Sequence, residues 1–241
     1  MFASPPLGTD DLSELYRDLH AHPELSFQET RTAGIIAQRL SALGYEVTTG
    51  VGGTGVVGIL DNGPGPAVLL RADMDGLPVA EATGLEYASS VRGVDAAGND
   101  VPVMHACGHD VHVTCLLGAA AELVRTRDQF SGRVMLVFQP AEEIGAGAKA
   151  MVADRLFERF GRPDVVLGQH VAPLPAGMIG LRAGPGPLFR VDNRRSIAGI
   201  STWSMRWPTA YGACTAATWS AVRCVGRGRG EGREPAAPIA H

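Results

Sequence analysis

Two hydrophobic periods alternate along the first 187 residues. Leu12, Leu15, Tyr16 and Leu19 fall at i, i+3, i+4 and i+7, which predicts a helix over residues 10–21. His22-Pro23 ends it, because the residue before a proline avoids the α region. Ser26-Phe27-Gln28-Glu29 reads as a capping box, with Ser26 as N-cap and Glu29 reaching back. The helix beyond it buries Ala33, Ile36, Ala37, Leu40 and Leu43 and stops at Gly44. Val113, Leu116, Leu117, Ala120 and Val124 predict another helix over 111–127, and a shorter one is expected at 147–160. Apolar runs between these helices predict strands at 45–49, 55–60, 67–72, 133–138 and 164–167, with a further one at 178–182. Residues 84–103 are polar and glycine-containing, and read as loop with one short strand.

Strands that alternate with helices predict an α/β fold: a mostly parallel sheet flanked by helices. Val68-Leu69-Leu70 is apolar without alternation, as expected of a strand buried on both faces. In such sheets, sites form outside the carboxyl ends of the strands. Asp73 and Asp75 follow one predicted strand, Glu142 and Glu143 a second, and His170 a third.

Composition divides the chain near residue 185. Residues 1–182 hold 13 basic and 22 acidic residues, whereas 183–241 hold 8 arginines against 3 acids. Trp203, Trp207 and Trp219 all lie in the second part, where no sustained period of 2 or 3.6 is found. Residues 1–187 are therefore expected to form one α/β unit, and 188–241 a tail that is disordered or read from a shifted frame. One lysine (Lys149) against 20 arginines fits GC-rich codons, whose other frames yield such mixtures. The net charge of −4 argues against a nucleic-acid partner. Cys107, Cys115, Cys214 and Cys224 are too few for a disulfide framework, and no signal sequence or long apolar run stands out, so a cytoplasmic protein without membrane attachment is expected.

Met104-His105-Ala106-Cys107-Gly108-His109-Asp110-Val111-His112 holds the densest chemistry. A thiolate and an imidazole two residues apart suit a transition metal, since Zn²⁺ accepts both S and N. Cys107, His109, Glu143 and His170 form a plausible ligand set for one or two divalent ions, of which Zn²⁺, Mn²⁺, Co²⁺ and Ni²⁺ all tolerate such donors. Glu142, next to a proposed ligand, is a candidate general base, and Asp75 could orient a ligand imidazole. Each residue also has an ordinary reading: a solvated Glu-Glu pair, turn-forming Asp73 and Asp75, a half-buried His170. His105 and His112 stay ambiguous and could each simply bond to backbone. His20 and His22 read as structural or substrate-edge residues, and Cys115 as core.

Taken together, His22-Pro23-Glu24-Leu25 with Glu29-Thr30, Leu70 to Pro78, Met104 to Asp110, Phe138 to Glu143, and His170-Val171 with Pro173 resemble the M20 metallopeptidase family in its amidohydrolase branch, which contains hippurate hydrolases, N-acyl-amino-acid amidohydrolases and auxin-conjugate hydrolases. The resemblance implies a zinc-exopeptidase-like catalytic domain with two metal ions. Cys107 would bridge them, with His109, Glu143 and His170 as further ligands, Glu142 as base and proton donor, and Asp75 as the orienting carboxylate. The implied reaction is hydrolysis of the amide bond of a small-molecule N-acyl amino acid. In the family the chain continues roughly as long again, through a lid that also makes a homodimer, to a last metal-binding histidine. Here the resemblance stops near Gly186, so the dimerisation domain is expected to be missing, His241 is a poor substitute for that ligand, and impaired activity is expected. The alternative is a non-catalytic metal-binding fragment. A zinc base deaminase is excluded by the lack of a His-x-Glu paired with Pro-Cys-x-x-Cys. A cysteine hydrolase using Cys107 would retain activity on chelation.

Overall fold

The computed structural model describes residues 9–172, with the backbone of two more strands at 181–183 and 222–226. The elements run α1 (Thr9–Ala21), α2 (Thr30–Ala42), β1 (Glu46–Val51), β2 (Gly55–Asn62), β3 (Ala67–Asp73), β4 (Arg92–Val94), β5 (Asp100–Pro102), α3 (His109–Arg125), β6 (Gly132–Gln139), α4 (Gly147–Ala153), α5 (Leu156–Phe160), β7 (Val165–Gln169), β8 (Leu181–Ala183) and β9 (Val222–Gly226). One sheet has the order β1-β2-β6-β3-β7-β9-β8. Its centre is parallel, as expected: β3 pairs with β6 through Ala67–Arg133 to Asp73–Gln139, and with β7 through Val68–Val165 to Arg71–Gly168. The ladders β1–β2, β2–β6 and β7–β9 are antiparallel, so the sheet as a whole is mixed.

Side chains of the central strands alternate between two cores, as the pleat requires. Val134, Leu136 and Phe138 of β6 join Leu15, Leu19, Ile36, Leu40, Val113 and Leu117 from α1, α2 and α3 on one face. Met135 and Val137 face the other way, onto Met151, Leu156 and Phe160 of α4 and α5. These opposed cores explain the continuous apolar runs. They also hold β3, β6 and β7 so that their carboxyl ends open at one place.

Several expected boundaries change. The helix expected at 147–160 breaks at Arg155, whose φ is 61°, and 84–103 holds two short strands, β4 and β5. Within 188–241, expected to be disordered or read from a shifted frame, residues 222–226 run as β9 beside β7, and the other tail residues lie outside the described part. The capping box is also replaced. Phe27 takes a left-handed φ of 62°, α2 begins only at Thr30, and no side chain caps it from Glu29. The first-turn amides of Arg31 and Thr32 instead donate to the two oxygens of Glu24, each at 2.8 Å. Ser26 and Glu29 are thereby released for long-range bonds.

His20 ties α1 to the rest of this face. Its Nδ1 lies 2.7 Å from Asp110 Oδ2 and its Nε2 2.9 Å from Glu81 Oε1. Burial works against charge on this ring, but hydrogen bonds to Asp110 and Glu81 outweigh it and hold its pKa up at about 9. The stabilisation is therefore complete below the ordinary histidine value, near 6.5, and is lost as pH rises through about 9. Urea unfolding of the chain is expected to show stability falling between those limits. His20→Gln should flatten that fall; an unchanged slope in the variant would contradict this account.

Candidate metal centre

Four backbone segments deliver the polar residues. β3 ends at Asp73, with Asp75 two residues on; β6 ends at Gln139, ahead of Glu142 and Glu143; β7 ends at Gln169, ahead of His170; α3 begins at His109. Gly108 makes the turn before α3 at φ 76°, and a Cβ there would lie 2.5 Å from Val171 Cγ2. Only glycine fits both the left-handed backbone and that close approach. The turn lets Cys107 and His109 address the same space.

His109 is completely buried at the centre. Its Nε2 faces three carboxylates: Asp73 Oδ2 at 3.6 Å, Glu143 Oε1 at 3.7 Å and Glu142 Oε2 at 3.9 Å. Its Nδ1 is 3.2 Å from Asp75 Oδ1, without the alignment of a hydrogen bond. Asp75 meanwhile accepts from the Ser26 hydroxyl at 2.7 Å and from the amides of Glu142 and Glu143 at 3.0 Å each. One carboxylate thus lies against the His109 ring and accepts from the turn that carries the adjacent acids.

Cys107, His109 and Glu143 bring one donor atom each within 4.8 Å of one another, and Asp73, His109, His112 and His170 do the same. Cys107 Sγ and His170 Nε2 are 3.4 Å apart. The Val171 carbonyl, 2.6 Å from His170 Nδ1, can only accept, so Nδ1 carries the proton and Nε2 presents its lone pair toward Cys107. The expected site residues Cys107, His109, Glu143, His170, Glu142 and Asp75 therefore occupy one locus.

The residues fit a divalent cation. Both His109 nitrogens and Glu143 Oε1 are buried without a hydrogen-bond partner, an arrangement that costs free energy unless another group satisfies them. Burial pushes the Glu143 carboxyl up to about 7, and burial followed by the Asp73 charge pushes Glu142 up to about 8. Burial likewise raises the Cys107 thiol and lowers His170 to about 4. A positive ion offsets that crowding of acids, and thiolate, imidazole and carboxylate are all Zn²⁺ donors.

His112 and Asp73 enter the locus in ways the sequence left open. The Val171 amide donates to His112 Nε2 at 2.8 Å, so that nitrogen is an acceptor and Nδ1 donates to Asp73 Oδ1 at 2.5 Å. His112 therefore straps the end of β3 to the residue following His170. Asp73 also takes Arg71 Nη1 at 2.7 Å. Burial raises the Asp73 pKa, but Arg71 and the two imidazoles outweigh it and keep this carboxyl well below the usual range. Position i+3 after His109 was the available sequence signal for His112, since it places both rings on one side of α3. His105 is buried with neither ring nitrogen bonded, and His22 Nδ1 donates to the Asp18 carbonyl at 2.7 Å on the surface. Cys115 is a free, half-buried thiol. His241 lies outside the described residues.

Residues 69–237 match peptidase family M20/M25/M40. The chain belongs to that family. It is 45% identical to thermostable carboxypeptidase 1 of Saccharolobus solfataricus over 73% of this chain and 43% of the relative. It is 46% identical to the hippurate hydrolase of Campylobacter jejuni over 68% of this chain and 40% of that enzyme. Among solved structures, the YXEP protein of Bacillus subtilis, a dinuclear metal binding peptidase of the M20 family, superposes with a TM-score of 0.64 at 38% identity, over 73% of this chain and 47% of the other. The chain thus spans about two fifths of the length of the curated relatives it matches. Among the described residues, no helix is long and apolar enough to cross a membrane.

Replacing Asp75 by Ala removes the acceptor for two turn amides and the carboxylate beside His109. Zn²⁺ affinity, measured by competition with a chromophoric chelator, is expected to fall about 10- to 100-fold. An unchanged affinity would show that Asp75 does not organise the donors.

Proposed function

We propose that this chain carries the metal-binding part of a hydrolase acting on the amide bond of N-acyl amino acids. The observation that carries the reading is Glu142, buried with Oε2 3.9 Å from His109 Nε2, beside a Cys107–His109–Glu143 donor group. The carboxypeptidase, hippurate hydrolase and N-acetyl-L-cysteine deacetylase names of its relatives agree on cleavage of an amide next to an amino acid. Cys107, His109, Glu143 and His170 are the residues that would hold two divalent ions. Zn²⁺, Mn²⁺, Co²⁺ and Ni²⁺ all suit this set. Such ions supply Lewis acidity and make water a nucleophile near neutral pH.

The chain's own residues do the remaining work. Glu142 takes a proton from the attacking water, holds it at a carboxylate oxygen, and delivers it to the leaving amine nitrogen. A C–O bond forms, the C–N bond breaks, and the products are a carboxylate and a free amino acid. Asp75 keeps the Glu142 amide and the His109 ring in register. Burial of Glu142 keeps bulk water from competing for that proton.

Glu142→Ala separates this reading from a non-catalytic metal-binding fragment. Hydrolysis of benzoylglycine and of a benzoyl dipeptide by the metal-loaded chain is expected to drop at least about 100-fold, with metal content per chain unchanged. Equal metal content with no hydrolysis by either protein would favour the non-catalytic reading.

A further inference from the structure

Ala141, the residue before the Glu142-Glu143 pair, has a left-handed backbone with φ 47°. A non-glycine residue is disfavoured in such a conformation, which persists only where the surroundings over-determine it. The carbonyl of Ala141 accepts from the amides of Ala146 and Gly147, at 3.2 and 3.0 Å. A Cβ at Gly147 would lie 1.5 Å from the Pro140 carbonyl oxygen, so this tight closure needs glycine. The Ala141 amide points the other way and donates to Glu29 Oε1 at 2.8 Å. The other Glu29 oxygen accepts from the Thr54 hydroxyl, which fixes the carboxylate against the β1–β2 hairpin. Glu29 is completely buried and lies 112 residues away in sequence.

Three consecutive amides, those of Ala141, Glu142 and Glu143, thus end on two buried carboxylates: Glu29 for the first and Asp75 for the other two. A carboxylate beneath α2 has no need of this bond for capping, since Glu24 already takes the first-turn amides of that helix. We infer that Glu29 is a positioning residue for the Glu142-Glu143 turn: its carboxylate holds the Ala141 amide, fixes the left-handed step there, and so sets where the two following glutamates point. It touches neither metal ligand nor substrate and acts through the backbone. The inference deepens the proposed function and rests on the reading of Cys107, His109 and Glu143 as metal ligands.

Two substitutions distinguish an acceptor at a fixed place from a buried charge. Glu29→Gln keeps an oxygen that can accept from the Ala141 amide and removes the charge. Glu29→Asp keeps the charge and withdraws the acceptor by one methylene. Co²⁺ is titrated into the wild-type chain and both variants. The thiolate-to-cobalt absorption gives the Kd, and amide hydrogen exchange of the 140–147 segment is followed without metal. Glu29→Asp is expected to raise the Co²⁺ Kd about tenfold or more and to lose protection of the Ala141 amide. Glu29→Gln should stay within about threefold of wild type and keep that protection. Weakening by Gln as large as that by Asp, or protection unchanged in both, would overturn the inference. If Glu29→Asp does not fold, the Gln variant decides alone: wild-type-like binding and protection support the inference, and loss of either sinks it. A wild-type chain that gives no thiolate-to-cobalt absorption removes the metal reading instead, and the exchange comparison still tests the bond.

Discussion

The carboxyl ends of β3 and β6 carry Asp73, Asp75, Glu142 and Glu143 into a space largely closed to water, around the buried ring of His109. Like charges at that spacing repel, and removing them from water adds to the cost. Much of the nearby structure offsets that cost. Arg71 and His112 hold Asp73, three hydrogen-bond donors converge on Asp75, and Glu142 and Glu143 drift toward protonation. Two opposed hydrophobic cores keep the strands in place while this occurs. Such an arrangement sacrifices stability for a site, and the orphaned nitrogens of His109 mark where a cation would repay it.

Acids and bases in the locus are organised at two levels. Cys107, His109 and Glu143 face one another directly, and His170 faces Cys107. Behind them, Asp75, Glu29 and His112 act through backbone amides: Asp75 on Glu142 and Glu143, Glu29 on Ala141, His112 on Val171. Amide bonds of this kind fix where a turn lies without occupying a donor atom on a ligand. They explain how residues from four separate elements keep a common aim.

The strands were legible because β2, β3, β6 and β7 are apolar runs of ordinary length bounded by turn residues, and the converging polar ends followed from parallel pairing at the sheet centre. Cys107 and His109 stood out through spacing alone. What sequence could not supply was the partner of each polar group. Ser26 and Glu29 had the spacing of a capping box, yet Phe27 turned left-handed, Glu24 took the cap, and both residues bonded across the fold. His112 remained ambiguous for the same reason: its role depends on the Val171 amide, 59 residues away. Asp73 had the look of a turn residue, but it ends β3 and is completely buried. Long-range hydrogen bonds leave no periodic trace in a sequence, and the positioning groups here consist of little else.

X-ray absorption at the zinc edge on the chain loaded with Zn²⁺ tests the central claim most directly. The account predicts a sulfur neighbour at about 2.3 Å with nitrogen and oxygen neighbours at about 2.0–2.2 Å, and loss of the sulfur shell in Cys107→Ser. A shell of nitrogen and oxygen alone in the wild-type chain, unchanged by that substitution, would contradict it.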